Sequence, residues 1–356
     1  MEQHLGHHAF YQNLRRALPT ASSVNAAWVE VTYTNTGAWW EELKLLSAHI
    51  RGSLCGRQQV VTGLRRQKND IVFFNTQAPA ALAGSVVRAQ PYILCTDITP
   101  LQYDGMAAHY NHRPDRHPLL KQYKHRINRN LFQGAVRLVP WSTWVRDSLI
   151  ADYGVPPERI AVVPPGVDTE RWRPQPEREA RRPVQILFVG GDFERKGGEL
   201  LLQAFRALPP GVAELTLVTR TKLSPAADVR VRNDLHPNSP ELVALYQASD
   251  IFVLPTKAEA FGIAAVEAGA VGLPVIATDV GGVSDIVIHE ETGLLMPPDN
   301  GQVLYTHLLR LIEDPAWRMR LGNQARTRTE ERFDARKNAV QILTMIEECL
   351  SETVDY

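Results

Sequence analysis

Short apolar runs alternate with longer segments of mixed polarity along the whole chain. AWVEVTY (27–33), DIVFFNT (70–76), PYILCTD (91–97) and VRLVP (136–140) read as strands buried on both faces. Between them, 57–67, 78–88, 117–133 and 143–152 carry helix-like spacing. Alternation of this kind predicts a parallel sheet with helices packed on its faces.

The pattern breaks at IAVVPPGVDTERWRPQPEREARRP (160–183), which holds five prolines and a run of charges. Proline ends helices and strips donors from strands, so 166–183 is the expected linker. A second series then begins. Strands are expected at VQILFVG (184–190), AELTLVT (213–219), DIFVLP (250–255) and PVIAT (274–278), with helices at about 197–208, 239–248 and 262–271 and a mostly helical remainder. The expected organisation is an N-terminal domain over 1–165, a C-terminal domain over 184–332 and a terminal helical segment over 333–356. In that segment Ala339, Ile342, Leu343, Ile346 and Leu350 mark one helix face. The fold class is α/β, with each series doubly wound and ligands expected beyond the carboxyl ends of the strands.

The length of 356 residues favours two domains over one core. Lysine plus arginine is 39 and aspartate plus glutamate is 39, so no global basic attraction to nucleic acid exists. The balance hides an asymmetry. Residues 1–165 carry 18 basic against 11 acidic side chains, and residues 166–356 carry 21 against 28. Three cysteines without a C-x-x-C pair argue against a disulfide framework. MEQHLGHHAFYQNLRR has no apolar signal core, and no run reaches membrane-span length, so a cytoplasmic location is expected.

Absent motifs narrow the chemistry. The chain has no G-x-G, no Gly-Lys, no H-E-x-x-H, no G-x-S-x-G and no D-x-D. His109, His112 and His117 lack a Cys or acidic set that would complete a metal site, and no metal is expected.

Two stretches carry the chemistry. In the first, Glu259 follows the strand 250–255, Gly262 opens a helix, and Glu267 is the single charge in 262–278. A carboxylate on so apolar a helix must be hydrogen-bonded or neutralised. A vicinal diol would do this with two hydroxyl donors; a backbone amide or a buried arginine would do it equally well, and the loop Glu259 favours the diol. In the second, VGGDFERKGGELLL (189–202), a strand ends at Gly190 and Gly191. Arg195 and Lys196 follow, and a glycine pair opens a helix. Cations and free helix amides aimed at one point suit a phosphate or diphosphate. A glycine turn at Asp279–Gly282 offers a third place for close backbone approach.

Together, FVGGDFERKGGELLLQAF and LYQASDIFVLPTKAEAFGIAAVEAGAVGLPVIATDVGG resemble the donor domain of retaining glycosyltransferase family 4, with Glu259 and Glu267 as its E-x7-E element. The resemblance implies a GT-B fold of two Rossmann-like domains facing a cleft, and a terminal helix crossing back to the first domain. It implies a nucleoside-diphosphate sugar as donor, a hydroxyl acceptor and no metal cofactor. By position, Lys196 and Arg195 neutralise the diphosphate and Glu259 contacts sugar hydroxyls. Ala260, Phe261 and Gly262 offer amides, and Glu267 holds the ribose. The base falls near 219–221 and 233–236.

The chain departs from that family in three places. Gly190-Gly191 stand where relatives carry an arginine, so Arg195 is the expected substitute. The first-domain strand that ends in a histidine in relatives ends here in Asp97, read either as an acceptor or sugar contact or as a turn cap before Thr-Pro. Only five residues precede Gly6, so the first strand is expected to be very short or missing. Gly6 and His7 are the candidate acceptor loop. Arg113–Arg137 holds seven basic residues and one acid, in a half that also carries Trp39, Trp40, Trp141 and Trp144. This stretch reads first as a solvated helix face and second as a peripheral contact for anionic lipid or an anionic acceptor. Two competing functions remain at this point: a phosphorylase or sucrose-synthase-like transfer, and a catalytically idle sugar-nucleotide-binding partner.

Overall fold

The computed structural model describes residues 1, 6–17, 24–34, 36–38, 41, 48–175, 183–224 and 228–354. Trp39, Trp40 and residues 176–182 of the expected linker lie outside that set. The first part of the chain runs α1 (Gly6–Ala17), α2 (Ala48–Arg65), β1 (Val72–Phe74), α3 (Gln77–Ala83), β2 (Tyr92–Thr96), α4 (Pro100–Gly105), α5 (Pro118–Gly134), β3 (Arg137–Pro140) and α6 (Thr143–Ala151). The second part runs β4 (Val184–Val189), α7 (Gly198–Arg206), β5 (Ala213–Val218), β6 (Val229–Arg232), α8 (Pro240–Gln247), β7 (Ile251–Leu254), α9 (Ile263–Ala270), β8 (Val275–Thr278), α10 (Val283–Ile286), β9 (Gly293–Met296), α11 (Gly301–Glu313), α12 (Pro315–Arg332) and α13 (Ala335–Val354).

The chain divides into two compact units. One holds Met1–Ala107, Arg113–Pro165 and Ala335–Tyr356; the other holds Ala108–His112 and Gly166–Asp334.

In the first unit, β1, β2 and β3 form a parallel sheet in that order. Phe74, Tyr92, Leu94, Phe132, Leu138 and Leu149 fill the core beside it. α13 packs on α1. The strand expected over 27–33 is not one: Val31 forms a lone bridge, and the backbone there bonds to Met1 through Met1 N to Val29 O at 2.6 Å and Val31 N to Met1 O at 2.9 Å. A strand needs a paired neighbour along its length, and within 27–33 only Val31 carries bridge pairing. The helix expected at 57–67 begins earlier, at Ala48.

The second unit holds one six-stranded parallel sheet, ordered β6-β5-β4-β7-β8-β9. Phe188, Leu217, Val253 and Ile276 form its centre, and Leu201, Leu304 and Leu308 cover one face. β6 (VRVR) and β9 (GLLM) were not expected, because edge strands of four residues give too short an apolar run to stand out. Residues 166–175 do not run free as a linker. Trp172 is fully buried edge-on to Tyr246, Val167 bridges to Asp334, and the Arg326 guanidinium donates to the Trp172 carbonyl at 2.6 Å. One buried indole outweighs the helix-breaking prolines around it.

The strand order sets the position of the site. After β4 the chain moves to β5 and β6 on one side, then returns to β7 on the other, so β4 and β7 are neighbours joined by no direct connection. This reversal is where α/β sheets open a crevice at their carboxyl ends.

Candidate active site

Both chemistry-bearing stretches of the second unit leave the sheet at that reversal. Gly190 and Gly191 follow β4, and Pro255–Gly262 follow β7. Gly197 caps α7 in the left-handed region at φ 78°, and Gly262 caps α9 at φ 111°. Only glycine takes such angles without strain. A Cβ on Gly197 would lie 1.8 Å from the Pro255 carbonyl oxygen, so the two loops touch through bare backbone. Neither cap has a side chain to satisfy the first-turn amides, which leaves two helix N-termini disposed toward an anion.

Hydrogen bonds tie the loops together. Lys257 N donates to Arg195 O at 2.9 Å, and the Arg195 guanidinium donates to Ala258 O at 2.9 Å. Gly282 N, in the glycine turn after β8, donates to Ala260 O at 3.1 Å. Across this frame Lys196 Nζ forms an ion pair with Glu259 Oε2. Both side chains are largely enclosed, at 16% and 10% exposure. A buried pair is tolerated when each charge meets the other.

Glu267 sits in the second turn of α9, which is apolar because β7, β8 and α12 surround it; Ala325 and Thr329 of α12 lie against Gly269. Its carboxylate accepts a hydrogen bond from the Tyr246 hydroxyl at 3.0 Å. Desolvation raises the Glu267 pKa to about 7, and the tyrosine bond opposes the rise only in part. Burial, with that carboxylate beside it, pushes the Tyr246 phenol well above its usual range. Neither a backbone amide nor an arginine is the partner that the structure records. Tyr246 went unnoticed in the sequence, although a buried tyrosine must find an acceptor for its hydroxyl.

The basic positions are arranged differently from the expectation. Arg195 is committed locally: it meets Asp192 at 3.3 Å and Ala258 O, and stacks 4.7 Å from the Tyr110 ring centre. Arg220, just past β5, lies over Gly191 instead. A Cβ there would approach its guanidinium to 2.9 Å. Gly190 is matched to Lys196 in the same way, at 2.9 Å from the lysine Cβ. The two glycines are therefore space for two cations. Arg220 was missed because its approach depends on pairing between β4 and β5. Asn233 donates to Thr219 O at 2.7 Å and Thr221 O at 2.9 Å, which joins the two segments expected near the base.

Asp97 and His7 belong to the first unit. Asp97 follows β2, and His7 Nε2 lies 3.5 Å from its Oδ1. The imidazole stacks on Trp141, at 4.8 Å between ring centres. Asp97 is not the cap of the next helix. Thr99 is, in a capping box with Gln102. Gly6 opens α1 and so stands one residue before His7. Among the described residues no cluster of three or more His, Cys, Asp or Glu could hold a metal ion.

Comparison with known proteins follows this division. The family model Glycosyl transferases group 1 matches residues 168–328, and Glycosyltransferase Family 4 matches residues 43–171. D-inositol 3-phosphate glycosyltransferase of Pseudarthrobacter chlorophenolicus is 31% identical over 62% of this chain and 56% of its own length; that of Rhodococcus jostii is 35% identical over 50% and 45%. The chain spans about half the length of these curated relatives. Among solved structures, sucrose-phosphate synthase from Thermosynechococcus elongatus superposes with a TM-score of 0.77 at 19% identity, over 99% of this chain and 95% of its own. Anabaena HepE, solved with UDP, gives 0.64 at 21% identity over 84% and 82%. These likenesses establish the GT-B fold, two Rossmann-like domains.

Proposed function

From the premise that the chain belongs to glycosyltransferase family 4, we propose that it moves a hexosyl unit from a nucleoside-diphosphate sugar to a hydroxyl acceptor, with retention and without a metal. The observation that carries this reading is the Lys196–Glu259 pair at the carboxyl ends of β4 and β7, flanked by two glycine-capped helix N-termini. A diphosphate there meets Lys196, Arg220 and helix amides, which stabilise the charge that grows as the sugar–phosphate bond breaks. Glu259, released from the lysine, accepts from sugar hydroxyls. Glu267 takes the ribose diol, and Ala260, Phe261 and Gly262 add backbone donors. The acceptor oxygen attacks the anomeric carbon on the face the diphosphate leaves, and a departing phosphate oxygen takes its proton. Fixed cations supply the role a metal would otherwise fill.

The glycosyltransferase activity of the relatives and the UDP seen in HepE support a nucleotide-sugar donor. The His7–Asp97 pair favours transfer over an idle binding partner, since α1 brings an imidazole to the strand end that lacks one of its own. A thermal-shift screen against UDP-, GDP- and ADP-sugars tests the reading. A donor at 100 times its Kd adds about 2.7 kcal/mol to native stability. No shift with any of the three, and no transfer product, would exclude it.

A further inference from the structure

The N-terminal half of α5 is built unlike the rest of its unit. Leu119, Leu120 and Tyr123 are 69%, 42% and 62% exposed, and every residue from 116 to 124 is exposed. Of seven large hydrophobic residues exposed among those described, three fall within these five positions. The other end of the helix is anchored: Leu131 and Phe132 are buried, and Leu131 O accepts from the Tyr92 hydroxyl at 2.6 Å. At about 100° per residue, Leu119 and Tyr123 project on the far side of the axis from Phe132. Leu119 and Tyr123 therefore form a second apolar face, and Leu120, in line with the buried Leu131, borders it.

Charge surrounds that face. α5 carries Lys121, Lys124, Arg126 and Arg129 and no acid, and Arg113 and Arg116 precede it. Asp115 is the single nearby acid and pairs with Lys124 at 2.6 Å. By the same helical spacing, Lys124 and Arg126 border the apolar arc on its two sides. No acid lies in the first turn, where the helix dipole favours one, so the charge pattern does not serve helix stability.

We propose that this half of α5 is a docking surface for an anionic lipid bilayer. Leu119, Leu120 and Tyr123 enter the boundary between headgroups and acyl chains, and Lys124 and Arg126 meet lipid phosphates. A soluble polyanion would satisfy the cations and leave the apolar stripe in water. Two copies meeting on this face would bring like charges together. No helix among the described residues is long and apolar enough to cross a membrane, so the contact is interfacial.

The test uses the full chain and sedimentation with vesicles of phosphatidylcholine, with and without phosphatidylglycerol. Binding is expected only with phosphatidylglycerol and is expected to weaken as salt rises. Lys124→Gln and Arg126→Gln should each lower the partition about fivefold, and Leu119→Asp/Tyr123→Asp should abolish it. The native cysteines are buried. A polarity-sensitive label on Leu119→Cys should therefore shift its emission on these vesicles, while the same label on Val340→Cys, also exposed, should not. Donor binding in solution should be unchanged in every variant, which keeps this test separate from that of the donor pocket. Three results would each overturn the proposal: no dependence on phosphatidylglycerol, full binding by the Leu119→Asp/Tyr123→Asp variant, or a dimer that those substitutions dissolve.

Discussion

Lys196 and Glu259 stand 63 positions apart in sequence and neutralise each other in a largely enclosed ion pair at the ends of two neighbouring strands. Each is the group proposed to grip one end of the donor sugar phosphate. Substrate must therefore part them, exchanging one buried pairing for two.

Lys196→Ala should lower transfer about 10²–10³-fold, the usual cost of removing one stabiliser of developing charge. It should also lower unfolding free energy by about 3–5 kcal/mol, because Glu259 is left buried and unpaired. Lys196→Met with Glu259→Gln should recover most of that stability and none of the rate. Denaturant titration and a transfer assay on the same samples check both. A single-variant rate within about twofold of the parent removes Lys196 from the mechanism.

Glu267 gives a pH signature. Its folded pKa of about 7 lies above the ordinary carboxyl value, so the native state holds a proton that the unfolded chain has lost. The stability it contributes is full below about pH 4.5 and is lost as pH rises through about 7, a change on the order of 3 kcal/mol. Glu267→Gln should flatten this part of a melting-temperature profile and be the more stable protein at pH 8. Donor affinity should move the other way, tightening as the parent ionises through about pH 7 and falling in the glutamine variant. An unchanged donor Kd by calorimetry refutes the ribose role.

Gly197→Ala should cost at least about 2 kcal/mol, since alanine pays for the left-handed conformation and its Cβ meets the Pro255 carbonyl. Loss of donor binding should accompany the lower melting temperature. Retention of both would mean the β4 and β7 loops need not touch.

Arg220→Ala should weaken nucleoside-diphosphate binding roughly tenfold, the scale of one charge-assisted hydrogen bond. Nucleoside binding without phosphate should change little. Equal losses for both ligands would assign Arg220 to the base instead.

Transfer should persist in excess EDTA. Activity abolished by the chelator and restored by Mg²⁺ or Mn²⁺ would overturn the metal-free reading.

Local pattern determined much of this protein from its residues alone. Apolar runs located β1 to β5, β7 and β8, because a strand of a parallel sheet covered by helices is built from a continuous apolar run. Glycines at 197 and 262 marked the two helix entries, and a lone acid on an oily helix marked Glu267. Tertiary structure decided the pairings. The sequence offered Arg195 beside Lys196, yet the fold turns Arg195 toward Asp192 and Ala258 and brings Arg220 over Gly191 from the next strand. It also supplied Tyr246 to Glu267 and His7 to Asp97. Periodicity reports which face of an element is buried; which distant side chain fills the space beside it depends on strand order and register, and those are settled only when the sheet assembles.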